Sequence, residues 1–112
     1  MNEIRDYNCY FTFSEISDEQ HGYISRVLSD NNFEVDISKK SLEFESTGRD
    51  DDRLVLKIFR EVAAVLKDAD GELRCEIDNG NSDPHFEFFT IKGGKLLIQK
   101  GHLVRESNVD VV

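Results

Sequence analysis

Leu73-Arg74-Cys75-Glu76-Ile77-Asp78 alternates apolar and polar residues at every step. Successive side chains of a strand point to opposite faces, so this stretch reads as a strand. Leu73, Cys75 and Ile77 then share a covered face, and Arg74, Glu76 and Asp78 an open one. The same holds for Phe33-Glu34-Val35-Asp36-Ile37 and Leu42-Glu43-Phe44-Glu45. In all three the polar partner is nearly always a carboxylate. One sheet face is therefore expected to be apolar and covered, the other open and strongly negative. Like charges on neighbouring strands repel. A face chosen for stability alone would mix Lys with Glu.

Outward from these strands, the remaining elements follow from periodicity and punctuation. Tyr7 to Phe13 reads as the first strand, with Tyr7, Cys9, Phe11 and Phe13 on one face and Asn8, Tyr10 and Thr12 on the other. Ser17-Asp18-Glu19-Gln20 has the form of a helix capping box, and Ile24, Val27 and Leu28 continue it as an apolar stripe. Asn31-Asn32 stops that helix. Ser38-Lys39-Lys40-Ser41 joins the second and third strands as a hairpin loop. Gly48-Arg49-Asp50-Asp51-Asp52 opens a second helix, one of its Asp residues serving as the cap. Val55, Ile58, Phe59, Val62, Leu66 and Ala69 run down one face of it, and Gly71 is expected to end it. Asn79 to Pro84 is loop chemistry. His85–Lys92 and Lys95–Lys100 flank the two-residue turn Gly93-Gly94. The adjacent Phe88-Phe89 breaks the alternation there, through a bulge or through burial on both faces. A short strand is expected at His102–Arg105, then a flexible tail over residues 106–112.

This order predicts an α+β fold: a ferredoxin-like βαββαβ sandwich with an extra C-terminal β-hairpin. Both helices lie on one face of a mainly antiparallel sheet with spatial order 4-1-3-2. Residues 1–112 form one domain. The open face then carries Asn8, Tyr10 and Thr12 at its centre. Glu34, Asp36, Glu43, Glu45, Glu76 and Asp78 surround them, with Arg74 the main opposing charge. Glu87 joins this set or not according to the phase of the fifth strand. Tyr10 and those six carboxylates are the candidate partner-binding residues.

Composition narrows the partner. The chain has 112 residues, with 23 acidic against 14 basic, a formal net charge of −9. That balance disfavours nucleic acid and anionic membrane, which carry the same sign, and favours a basic protein. No apolar run approaches the length of a membrane helix. Cys9 and Cys75 both fall in the covered phase and read as buried free thiols in a reducing, cytoplasmic setting, with a Cys9–Cys75 disulfide as the alternative.

Catalytic chemistry is not signalled. His21, His85 and His102 are scattered, and no Cys pair has metal-ligand spacing, so no metal or cofactor is expected. His21 reads as a packed or rim residue of the first helix. Ser14 and Ser17 lack a nucleophile-elbow context. Glu43 and Glu45 share a face, but an open sheet does not shield carboxylates from water or tune them as acid and base. RNA-recognition domains share the βαββαβ order but show aromatics where Glu43 and Glu45 stand here. No enzyme activity is expected.

In size, charge and character the chain resembles the immunity proteins encoded beside bacterial contact-dependent toxins. Its terminal hairpin, Phe86-Glu87-Phe88-Phe89-Thr90-Ile91-Lys92-Gly93-Gly94-Lys95-Leu96, is similar to hairpins of such proteins. The resemblance implies a protein that neutralises a basic toxin, in particular a nuclease, by covering its active site. The alternative is a non-catalytic homo-oligomeric regulatory or structural module, a homodimer among its forms, associating through an edge strand or the Phe-rich hairpin.

Overall fold

The computed structural model describes residues 3–78, 85–101 and 109–112. The elements are β1 (Ile4–Thr12), α1 (Asp18–Asp30), β2 (Val35–Ile37), β3 (Ser41–Gly48), α2 (Leu54–Leu66), β4 (Asp70–Asp78), β5 (His85–Lys92), β6 (Lys95–Gly101) and β7 (Asp110–Val111). The strands form one open antiparallel sheet in the order β2-β3-β1-β4-β5-β6-β7. Both helices bury their apolar stripes against one face of it. No described helix is long and apolar enough to cross a membrane.

The first helix forms as its sequence dictates. Ser17 Oγ accepts the Gln20 N–H at 3.1 Å, and Gln20 Oε1 accepts the Ser17 N–H at 2.8 Å. These bonds satisfy two backbone donors that the helix itself cannot. At the other end Asn31 Nδ2 donates to the Val27 carbonyl, and Asn32 takes φ 64°. Ile24 and Leu28 are fully buried. His21 sits at the rim, its Nε2 at 3.2 Å from the Ile37 carbonyl oxygen.

The second helix departs from its expected end. It stops at Leu66, so Gly71 does not terminate it and Ala69 lies outside it. The reason is competition for backbone partners. Lys67 turns to φ 69°, its carbonyl accepts the Gly94 N–H at 2.7 Å, and the Ala69 N–H donates to Ile91. The Gly93-Gly94 turn, with both φ values positive, thus captures the chain leaving α2. At the start, Asp50 is the Asp that caps: its carboxylate accepts from Leu54 N–H (2.8 Å) and Val55 N–H (3.4 Å). Val55, Leu56, Ile58, Phe59, Val62, Ala63 and Leu66 are all buried, a wider stripe than the sequence spacing implies, because α2 packs at the centre of the core. Phe59 meets Phe44 edge-on, with ring centroids 5.2 Å apart.

The C-terminal hairpin extends the sheet rather than folding over its end. β5 pairs one-to-one with β4 from Leu73↔Phe89 to Ile77↔His85, without a bulge. Phe89 and Ile91 enter the core while Phe86 and Phe88 stack, half-buried, on the other face. Both faces of β5 therefore hold aromatic residues. The stretch expected as a loose tail ends instead in β7, paired to the outer edge of β6, with Val112 N–H donating to Leu96. The backbone groups along that edge of β6 draw the chain in. The strand expected at His102–Arg105, the loop at 79–84 and residues 106–108 lie outside the described residues.

Cys9 and Cys75 are free and buried. They sit on neighbouring strands but out of register, Cys9 opposite Leu73 and Cys75 opposite Tyr7. Burial pushes the Cys9 thiol up to about 12 and the Cys75 thiol up to about 11, and raises the Tyr7 phenol too. A raised folded-state pKa on an acid means that the unfolded chain releases its proton first. The stability tied to these neutral groups is complete below about pH 9 and falls above it. The expected slope is about 1.4 kcal/mol per pH unit for each titrating thiol. Urea midpoints at pH 8 and pH 10.5 check this. An unchanged midpoint contradicts it, as does rapid thiol labelling of the folded protein at pH 8.

Candidate functional site

The open face of the sheet is built by the alternation of β1, β3 and β4. Tyr7, Cys9 and Phe11 face the helices, so Asn8, Tyr10 and Thr12 face out, and Tyr10 remains 53 % exposed. In β3, burial of Leu42 and Phe44 turns Glu43 and Glu45 outward. The register aligns these residues in rows across the strands. One row runs Asp36–Glu43–Tyr10–Glu72, and the next Glu45–Asn8–Arg74–Phe88.

Where β1, β3 and β2 meet, the face is hollowed. Asn8, Tyr10, Glu34, Asp36, Glu43 and Glu45 line a shallow open depression of about 640 Å³. Five of the seven candidate residues converge there. Glu76 and Asp78 do not; they lie on the same face further along β4, with Glu76 opposite Asp6. Glu34, Asp36, Glu43, Glu45 and Glu76 make no ion pair among the described residues. Arg74 sits between Asn8 and Phe88, a strand away from the hollow. The four carboxylates of the hollow form no ion pair with a described cation. Such a concave, single-sign surface attracts cations and raises encounter rates with a basic partner.

Two members of this face escape the sequence reading. Asp6 belongs to it because β1 starts at Ile4 rather than Tyr7; it lies opposite Thr47 and accepts the Thr47 hydroxyl at 2.9 Å. Glu72 belongs because β4 starts at Asp70. The phase of their strands carries the signal for both, and each strand begins earlier in the chain than its alternation indicates.

Glu87 takes the opposite phase. It faces the helices at 7 % exposure, the one buried charged side chain among the described residues. Its Oε1 accepts from Arg5 Nη1 at 3.0 Å and from Arg53 Nη2 at 2.7 Å. Arg5 also pairs with Glu3 at 2.7 Å. Burial is the largest influence on the Arg5 pKa and works to lower it, but Glu87, Tyr7 and Cys75 together outweigh it and raise it. Nearby, the Tyr7 hydroxyl donates to Asp50 at 2.9 Å, tying β1 to the α2 cap. This cluster pins the start of α2 against the sheet from behind, and Glu87 contributes nothing to the open face.

The fold and this face define a small α+β protein with a concave acidic sheet surface. No family model, curated protein or solved structure matches the chain.

Proposed function

We propose that this chain is an immunity protein that neutralises a basic toxin, in particular a nuclease, by covering its active site with the acidic open face. The carrying observation is the hollow lined by Glu34, Asp36, Glu43 and Glu45, with no described counter-ion and Tyr10 at its wall. Partner Lys and Arg side chains that would otherwise hold phosphates pair with these carboxylates, and Tyr10 offers a ring face for a guanidinium. The mechanism is occlusion and requires no catalytic group in this chain. The strand order β4-β1-β3-β2, with a helix between β1 and β2 and another between β3 and β4, supports reading the first six elements as a ferredoxin-like sandwich.

The test is co-purification with the product of the neighbouring upstream gene, followed by Glu43→Lys/Glu45→Lys. Wild-type binding is expected to weaken as salt rises. The double variant is expected to bind about a hundredfold more weakly, with a flatter salt dependence. No binding to that product removes the immunity reading, and unchanged affinity in the variant moves the interface off this face.

A further inference from the structure

The sheet has an unfinished edge beside the acidic hollow. Phe13 N–H donates to the Lys40 carbonyl at 3.0 Å, and Ser38 N–H to the Ser41 carbonyl at 2.9 Å. Antiparallel pairs alternate between hydrogen-bonded and non-hydrogen-bonded positions. Carried along the one-to-one registers, the first bond turns the backbone groups of Leu42, Phe44, Ser46 and Gly48 toward β1. The second turns those of Ser41, Glu43, Glu45 and Thr47 the other way, toward β2. The two bonds agree. But β2 is only 3 residues long and its pairing ends at Val35↔Phe44, while β3 continues to Gly48 against β1 alone. Thr47 therefore points its N–H and carbonyl out of the sheet, with no backbone partner among the described residues.

An unpaired strand edge is a template for another strand. Main-chain bonds then supply affinity, and alternate side chains supply specificity. The surroundings choose the occupant. A strand laid beside β3 puts every second side chain on the open face, next to Glu45 and near Asp6 and Glu34, all exposed. A second copy of this chain pairing through the same edge would set Glu45 and Asp6 near their own copies, and like charges repel. A cationic segment meets no such cost.

We propose that the outer edge of β3, from Glu45 to Gly48, takes an extended lysine- or arginine-bearing segment of the partner as an added strand. This rests on the reading of a basic partner and says how that partner docks: by main chain along the edge, with its cations directed onto the acidic face.

The probe is an acetylated, amidated heptapeptide of alternating lysine and valine. Saturating peptide is expected to slow hydrogen exchange of the Thr47 amide by about tenfold or more, while Phe44 and Ser46, already turned to β1, change little. Thr47→Pro removes the outward N–H on an edge where proline is tolerated, and is expected to weaken binding by about tenfold. Thr47→Val removes only the hydroxyl bonded to Asp6 and is expected to bind like wild type. Peptide that does not bind, or binds without slowing Thr47 exchange, overturns the edge proposal, as does equal binding by the proline and valine variants. Should the proline variant not fold, the exchange measurement on wild type decides. Binding lost on Glu43→Lys/Glu45→Lys with Thr47 exchange unmoved overturns the edge and keeps the acidic-face reading.

Discussion

Glu87→Leu is expected to destabilise the protein by about 3–5 kcal/mol, the largest loss for one side-chain replacement outside the apolar core. Glu87 is the common acceptor for Arg5 and Arg53, whose side chains are 11 % and 32 % exposed. Without it, Arg5 keeps Glu3 as its one described ion-pair partner, with the Cys75 sulfur as an acceptor, and Arg53 has no described ion-pair partner left. Arg53 then lacks a counter-ion and Arg5 loses its buried one, so part of the desolvation of both cations goes unrecovered. For a domain of this length about 1 kcal/mol corresponds to roughly 4 °C, so the melting temperature is expected to fall by about 12–20 °C. The triple variant Arg5→Met/Glu87→Leu/Arg53→Met separates charge from packing. Removing both arginines together with Glu87 removes the stranded cations, and its stability is expected to return near wild type or above. A single variant within 1 kcal/mol of wild type by urea unfolding contradicts the buried-cluster account. A triple variant as unstable as the single one shows that shape, not charge, carries the effect.

Gly71→Ala is the second large effect, and its cause is backbone geometry. Gly71, the second residue of β4, stands opposite Phe11 with φ 105°, a conformation that side chains rarely adopt. A Cβ there would collide with the Tyr10 carbonyl oxygen and stand 3.2 Å from its carbon. No rotamer change relieves this, because both partners are main chain. β4 must move away from β1, opening the centre of the sheet, and the expected cost is about 3 kcal/mol or more. Tyr10 borders the acidic hollow. The variant is therefore also expected to loosen binding of a basic partner beyond what Tyr10→Phe does. Thermal unfolding together with partner titration checks both. A stability loss under 1 kcal/mol would mean that β1 and β4 slide apart freely at this end, against the continuous register from Thr12↔Asp70 to Ile4↔Asp78.

Much of the candidate site was legible because its information is local. The phase of a strand is set by alternation, so Glu43, Glu45, Asp36 and Glu76 could be assigned to the open face without knowing what lies across from them. The capping box of α1 and the Gly93-Gly94 turn are equally local: a few adjacent residues hold every group that makes the bonds. The misread points share the opposite character. Gly71 looks like a helix stop in its own window, yet the helix yields earlier because Lys67 meets Gly94 from a distant hairpin. Asp110 and Val111 carry little strand signal and pair because β6 offers an edge.

The residues by themselves determined the alternating faces, the helical stripes, the turns and the excess of acid, since each follows from periodicity, steric preference or composition within a short window. Which carboxylates meet was decided only by the tertiary structure. Placing β3 between β2 and β1 gathers Glu34, Asp36, Glu43 and Glu45 around Tyr10 and leaves Glu76 and Asp78 apart. Likewise the phase of β5, read from the chain as open, was settled by burial of Phe89 and Ile91, which turns Glu87 inward to two arginines far from it in sequence. Charge interacts through space and register. Its sign can be read along the chain, but its neighbours exist only once the strands have paired.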